Sequence, residues 1–413
     1  MTDPKDFHCR GENCLGEISV DDFLNQYWQK KPLLIRNAFT DIQPPLSADE
    51  LAGLACEEYV NARLVLEKGD KNTKPWQVEF GPFKESRFND LPESHWSLLV
   101  SDVEKHLPET KALLKPFRFI PDWRVDDLMI SYAPPGGSVG AHTDAYDVFL
   151  IQLSGQRLWK ISEHFPEETL EDVDLCILKN FTAEQEWLLN AGDMLYLPPN
   201  VAHHGIAQAC VDVQGKNQPC LTASIGFRAP SLKTISSEYI HFINENRATE
   251  VRYRDASPVK PSHHAEISEE TITHFIDYLK QGLTLERDQV KQWLGEYSSD
   301  NNAFENLVED LPENQQDMSY DEFHTIAARS ELRQSPYSHF LFSYSKQAAL
   351  LFVNGNSYRV SKRFAESICE NESIDFALLQ QIMETDDIET DEMEADDKKV
   401  LLTLFKVGAI IAV

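Results

Sequence analysis

No run of about 18 consecutive apolar residues occurs in this chain, so a membrane-spanning helix is not expected. The opening segment MTDPKDFHCRGENC lacks the apolar core of a secretory signal, which makes the cytoplasm the default location. Basic residues are in short supply: 38 Lys and Arg stand against 68 Asp and Glu, for a net charge of −30. Phosphate backbones are held by clustered cations, so bare nucleic acid is a poor partner and a basic protein a good one, although solvation of an acidic surface accounts for the same charge. Cysteine is sparse, with seven scattered residues. The number is odd and several, such as Cys56, Cys176 and Cys369, stand in apolar context, so the seven read as reduced core thiols; Cys9 and Cys14 beside His8 could in principle clip a metal, but their spacing fits no zinc pattern. No convincing Ser-His-Asp or Cys-His arrangement supplies a nucleophile, and there is no internal repeat or extended low-complexity tract.

What is present is an ordinary globular composition, 42% hydrophobic with a mean hydropathy of −0.40, over 413 residues, enough for two or three domains. Within it, His142, Thr143 and Asp144 are followed by His203 in LPPNVAHHG. Two imidazoles and a carboxylate on one side of a divalent iron leave open positions for a bidentate cosubstrate and dioxygen. The HxD pair alone is weak, since a chain with 13 histidines should produce one by chance on the order of once.

The surroundings strengthen it. Asp127–Tyr132 reads as a strand that ends in the Pro and Gly cluster APPGGSVG. Alternation along extended chain then predicts that His142 and Asp144 point one way and Thr143 the other. DVFLIQLSG, Asp147 to Gly155, is a strongly apolar strand, and QRLWKI returns after Ser154-Gly155 with Arg157 at its start. An arginine fork there can grip a carboxylate; the alternative is a surface arginine. Ala191-Gly192-Asp193 marks a turn before the strand, Pro-Pro break and further strand that carry His203 and His204, of which one can face a metal. CLTASIGFR, Cys220 to Arg228, offers Thr222 and Ser224 on one face, as pocket lining or as satisfied core hydroxyls.

Elsewhere, Ser19 is placed to cap a helix carrying Phe23, Tyr27 and Trp28, with Asp22 at the box position. Ile272, Phe275, Ile276 and Leu279 follow a Ser268 cap at helical spacing, with Gly282 closing the helix, and Val290, Trp293 and Leu294 continue a second one. Such faces need a partner, either another copy or the parent domain. DASPVKPSHH (Asp255 to His264) reads as a linker with solvent-exposed His263 and His264, and Ser298 to Asp321 as a boundary. Asn354-Gly355 between two β-prone runs signals a hairpin, helical segments follow around Arg363 to Glu370 and Ile374 to Met383, and the acidic run Glu384 to Asp397 reads as an exposed loop unsuited to phosphate.

The blocks NQYWQKKPLLIRNAF, LMISYAPPGGSVGAHTDAYDVFLIQLSGQRLWK, GDMLYLPPNVAHHG and SIGFRAP, in that order, resemble the bacterial JmjC-type ribosomal oxygenases over roughly the first 230 residues and more weakly beyond. The resemblance implies an iron(II)- and 2-oxoglutarate-dependent dioxygenase that uses O2 to hydroxylate an arginine side chain of a large-subunit ribosomal protein, releasing succinate. It makes His142, Asp144 and His203 the metal ligands, Arg157 the partner of the cosubstrate's far carboxylate, and Ser131 a second contact to it. The family places the ligand at the first of the two histidines, hence His203; at 204 the close bacterial relatives carry an acidic residue. The resemblance also implies a homodimer and a C-terminal winged-helix-like domain.

The expected architecture is α+β: a JmjC double-stranded β-helix of the cupin type over 1–230, a helical dimerisation region over 231–315 and a winged-helix-like domain over 316–413. Thr222 and Ser224 are further candidates for contact with the cosubstrate. The competing readings are a JmjC histidyl hydroxylase or demethylase, a non-enzymatic metal-binding cupin, and a winged-helix DNA-binding regulator.

Overall fold

The computed structural model describes residues 7–10, 13–67, 76–171, 173, 175–211, 215–247, 251–254, 263–300, 315–385 and 396–413. Two compact units divide the chain, Met1–Ala229 and Pro230–Val413.

The strands of the first unit are β1 (His8–Cys9), β2 (Leu33–Ile35), β3 (Phe39–Thr40), β4 (Ala62–Glu67), β5 (Trp76–Phe80), β6 (Trp96–Val100), β7 (Val125–Ala133), β8 (Asp147–Ser154), β9 (Gln156–Ser162), β10 (Gln185–Asn190), β11 (Met194–Leu197), β12 (Ala202–Gln208) and β13 (Cys220–Phe227). Eight of them form an antiparallel sheet in the order β2-β11-β8-β13-β7-β6-β4-β5, and a smaller antiparallel sheet runs β10-β9-β12. This is the double-stranded β-helix arrangement expected from the sequence.

β8 shows why the sequence folds this way. All eight of its residues are buried, which suits a strand covered on both faces. Phe149, Ile151 and Leu153 join the large cluster containing Phe23, Phe117 and Phe227, while Val148 and Leu150 pack with Trp159, Ile161 and Leu195. The helix Val20–Gln26 seals the first of these layers: Ser19 accepts from the Asp22 backbone N–H at 3.1 Å, and Phe23 lies against Tyr27, Trp28, Phe119, Phe149 and Tyr196. Fully burying one such ring stabilises by roughly 1.5–3 kcal/mol. The single charge in β8, Asp147, is wholly buried and accepts hydrogen bonds from Tyr196 Oη at 2.6 Å, Gln29 Nε2 at 3.1 Å and Arg124 Nη2 at 3.4 Å. A buried carboxylate is tolerated when its lone pairs are taken in this way.

In the second unit, helices Leu232–Glu245, Glu269–Gly282 and Arg287–Ser299 come first. Ser268 caps the second of these, accepting from the Thr271 backbone N–H at 3.2 Å, and Ile272, Phe275, Ile276 and Leu279 are exposed on it. The hairpin at Asn354-Gly355 forms between Ala349–Val353 and Asn356–Val360, with both turn residues at positive φ, 48° and 75°. Helices Lys362–Glu370, Phe376–Thr385 and Asp397–Lys406 complete a winged-helix core around Phe323, Phe364 and Leu401. His263 and His264 are exposed; most of the linker beginning at Asp255, the boundary stretch and the acidic run lie outside the described residues.

The cysteine reading needs correction. Cys9 and Cys14 form a disulfide, their α-carbons 4.7 Å apart, inside the range a bridge requires. Cys176 is exposed, and Cys56 and Cys369 are only partly buried. The apolar neighbours of Cys176, Leu175 and Ile177, take the inward positions of that segment.

Candidate metal centre

His142 and His203 reach the same point from two segments that the backbone locks together. The His142 N–H donates to the His203 carbonyl at 3.0 Å, and the His203 N–H donates back to that of His142 at 2.9 Å. The loop between β7 and His142 can pass this close because of its glycines: a Cβ on Gly137 would lie 2.2 Å from the Trp96 carbonyl oxygen. Each imidazole is then oriented by its own backbone. His142 Nδ1 lies 3.0 Å from the Gly140 carbonyl and His203 Nδ1 3.0 Å from that of Val201. With Nδ1–H donated to these carbonyls, both Nε2 lone pairs are free, an arrangement that second-sphere partners commonly impose on metal-binding histidines.

Asp144 completes the set. Its Oδ1 is 4.0 Å from His142 Nε2 and its Oδ2 3.5 Å from His203 Nε2, and Asn200 donates its backbone N–H to the Asp144 carbonyl at 2.7 Å. Two ligand atoms each about 2.0–2.2 Å from one ion lie at most about 4.4 Å apart, and one ligand atom from each of the three residues lies within 4.8 Å of the others, close to what a single cation needs. Burial, and next the neighbouring His142, push His203 down to about 4, which keeps its ring neutral and able to coordinate near pH 7. His204 occupies the other face of β12, half-buried with its ring edge-on to Phe181, and burial first lowers it to about 4 as well. Alternation along the strand thus separates the two histidines as the sequence implied. His142 and Asp144 converge on one point, as alternation along 142–144 implied, and Thr143 also lines the cavity.

That cavity, about 280 Å³, lies between the large and small sheets of the β-helix. Arg157, Ser131, Thr222 and Ser224 all line it. Arg157 is 4% exposed, and its Nε and Nη2 have no hydrogen-bond partner. Ser131 and Thr222 are register partners on β7 and β13; the Ser131 hydroxyl donates weakly to the Thr222 carbonyl at 3.4 Å, and the Thr222 hydroxyl is committed to Gln152 Oε1 at 3.1 Å. Sequence reasoning missed Ser97, Arg63, Tyr146 and Trp159, which also line the cavity. Trp159 was within reach of it, being two residues beyond Arg157 on the same face of β9. Ser97 carried no local signal. Among the described residues, the buried side-chain polar atoms without partners are Ser97 Oγ, Arg157 Nε and Nη2, and Trp159 Nε1, and all belong to this one cavity.

A facial set of two imidazoles and a carboxylate, with an unpaired guanidinium on the same cavity wall, is built to hold a metal and an acid together. Comparison with known proteins agrees. The family model described as a JmjC domain matches residues 112–235, and the ROXA-like winged helix matches 272–405, beginning inside the helical stretch expected to be separate. The ribosomal protein uL16 3-hydroxylase of Escherichia coli (strain K12) is 36% identical over 310 residues, covering 74% of this chain and 78% of that protein. The crystal structure of E. coli YcfD superposes with a TM-score of 0.79 at 27% identity, covering 99% of this chain and 100% of that one. A structure of YcfD, a ribosomal oxygenase, in complex with cobalt and 2-oxoglutarate has a TM-score of 0.74 at 28% identity, covering 96% and 98%. The chain belongs to the JmjC ribosomal oxygenase family.

Proposed function

We propose that this protein is an iron(II)- and 2-oxoglutarate-dependent dioxygenase that hydroxylates an arginine side chain of a large-subunit ribosomal protein. His142, Asp144 and His203 hold the metal, and Arg157 holds the far carboxylate of the cosubstrate with Ser131 beside it. Along β9 the residue paired with His203 is Ile161, four positions beyond Arg157. That places the two ends roughly 13 Å apart at the backbone, a gap that a short diacid and the arm of Arg157 span together. When bound, the metal and 2-oxoglutarate supply oxidation of a C–H bond by dioxygen. The chain contributes position and dryness: the sheets exclude water, the histidine backbone contacts fix the ligand atoms, and Thr222 and Ser224 line the wall.

The observation that carries this reading is the buried, unpartnered guanidinium of Arg157 in the cavity that also holds the three ligand side chains. A non-enzymatic metal-binding cupin has no need of it. The ribosomal target is supported by the names of the relatives, and a net charge of −30 suits a basic partner while disfavouring direct DNA binding. Arginine as the modified residue rests on the family resemblance. The exposed row Ile272, Phe275, Ile276 and Leu279 supports a homodimer formed through the region 231–315, with 316–413 as the winged-helix-like domain. Intact-mass and fragment spectrometry of ribosomal proteins from cells with and without this protein tests the reading. One protein should lose the mass of one oxygen atom from an arginine when the enzyme is missing; modification unchanged in both cells, or found on a histidine, refutes it.

A further inference from the structure

The indole N–H of Trp159 has no role in the arrangement described so far. Trp159 is 6% exposed, lines the metal cavity, and its Nε1 has no hydrogen-bond partner. A buried donor left unmade is costly, and such atoms in native structures call for an explanation. The position of the ring gives one. Its centroid is 5.8 Å from that of His203 and 5.9 Å from the Arg157 guanidinium carbon, so the indole stands between the metal end and the arginine end of the cavity.

The ring is held there by design of the neighbouring strand. Gly205 is the register partner of Trp159 on β12, and a Cβ at 205 would meet the six-membered part of the indole at 2.7 Å. The absence of a side chain at 205 leaves room for the ring against the strand, and any side chain there would have to push it aside. Indole nitrogen is a donor only, so the atom it waits for is an acceptor.

We infer that Trp159 is a cosubstrate-binding residue: its Nε1–H donates a hydrogen bond to an oxygen of the 2-oxoglutarate held between the His142, Asp144 and His203 set and Arg157. The inference rests on the reading of the cavity as a 2-oxoglutarate site, and extends it by a neutral donor that selects for oxygen-bearing ligands along the wall. Ser97 Oγ, also unpartnered and buried, adds a second neutral polar group to the same lining.

The test is calorimetric titration of the full chain without oxygen, using manganese(II) in place of iron. Trp159→Phe keeps an aromatic ring and removes only the donor. Manganese affinity should stay within about twofold of wild type, whereas 2-oxoglutarate should bind about tenfold to a hundredfold more weakly, the effect of losing one hydrogen bond to a charged acceptor. Gly205→Ala retains the indole and displaces it, and should weaken 2-oxoglutarate in the same direction; it decides the matter should Trp159→Phe fail to fold. Binding of 2-oxoglutarate by Trp159→Phe within twofold of wild type, or an equal loss of manganese and 2-oxoglutarate affinity, overturns the inference. A wild-type protein that takes manganese but no 2-oxoglutarate refutes the underlying reading as well.

Discussion

Replacing Arg157 with methionine should move stability and ligand binding in opposite directions. The guanidinium is 4% exposed with two nitrogens unpaired, and a buried polar group without a partner costs about 1–3 kcal/mol. Methionine keeps the unbranched stem and removes the charge. Water admitted to the 280 Å³ cavity satisfies part of the demand, so the gain belongs at the low end. A gain of about 1 kcal/mol in a unit of this size raises the melting temperature by about 2–4 °C. The same substitution deletes a charge-assisted fork to the cosubstrate, two hydrogen bonds of about 1.5–3 kcal/mol each, so 2-oxoglutarate affinity should fall by about two to four orders of magnitude. Scanning calorimetry without ligand and titration with manganese and 2-oxoglutarate measure the two effects. An Arg157→Met protein that melts lower than wild type and binds 2-oxoglutarate normally would show that the arginine is structural and does not hold the cosubstrate.

Further expectations follow from other parts of the molecule. His203→Ala should weaken manganese binding by about a hundredfold or more while His204→Ala stays within a few-fold, as read by titration; the reverse order would move the ligand to the other face of β12. Glu104 is buried with its Oε2 accepting from the Leu128 N–H at 3.1 Å, and burial first, then the charge of Asp102, raise it to about 7 from 4.5. A carboxyl group raised in the folded state contributes stability that is complete below about 4.5 and is lost as the pH climbs through about 7. Glu104→Gln should therefore match wild type near pH 4.5 and exceed it by about 3 kcal/mol near pH 8, and parallel melting curves across that range would contradict the assignment. Phe275→Glu places a charge in the exposed row of the helix Glu269–Gly282; if the proposed homodimer forms through this face, light scattering should show the mass halved relative to wild type, and an unchanged mass would count against it.

The parts legible in the sequence were those set by local pattern. The run from Asp147 to Gly155 announced a strand because a strand covered on both sides must be apolar throughout. The Ser19 and Ser268 caps and the Asn354-Gly355 hairpin were readable because each depends on residues within a few positions of one another. The ligand set was readable through its motif, and the choice of His203 over His204 came from the family pattern and agrees with alternation along β12. The rest depended on contacts between distant segments. The reciprocal hydrogen bonds of His142 and His203 bring the first ligand beside the third, and nothing near Thr143 in the sequence announced that it too lines the cavity. Trp159 went unnoticed because its significance lies in Gly205 across the ladder. The Cys9–Cys14 bridge depends on how closely the two α-carbons approach, 4.7 Å, which an odd and scattered set of cysteines does not announce.

The clasp between the histidine segments is made by main-chain atoms alone, so it does not depend on which side chains stand at 142 and 203. Replacing either imidazole therefore removes a nitrogen without unfastening the backbone that carries the other. A chain with one of these rings substituted should keep its fold, so that a weakened affinity for manganese reports the missing nitrogen and not a collapsed site.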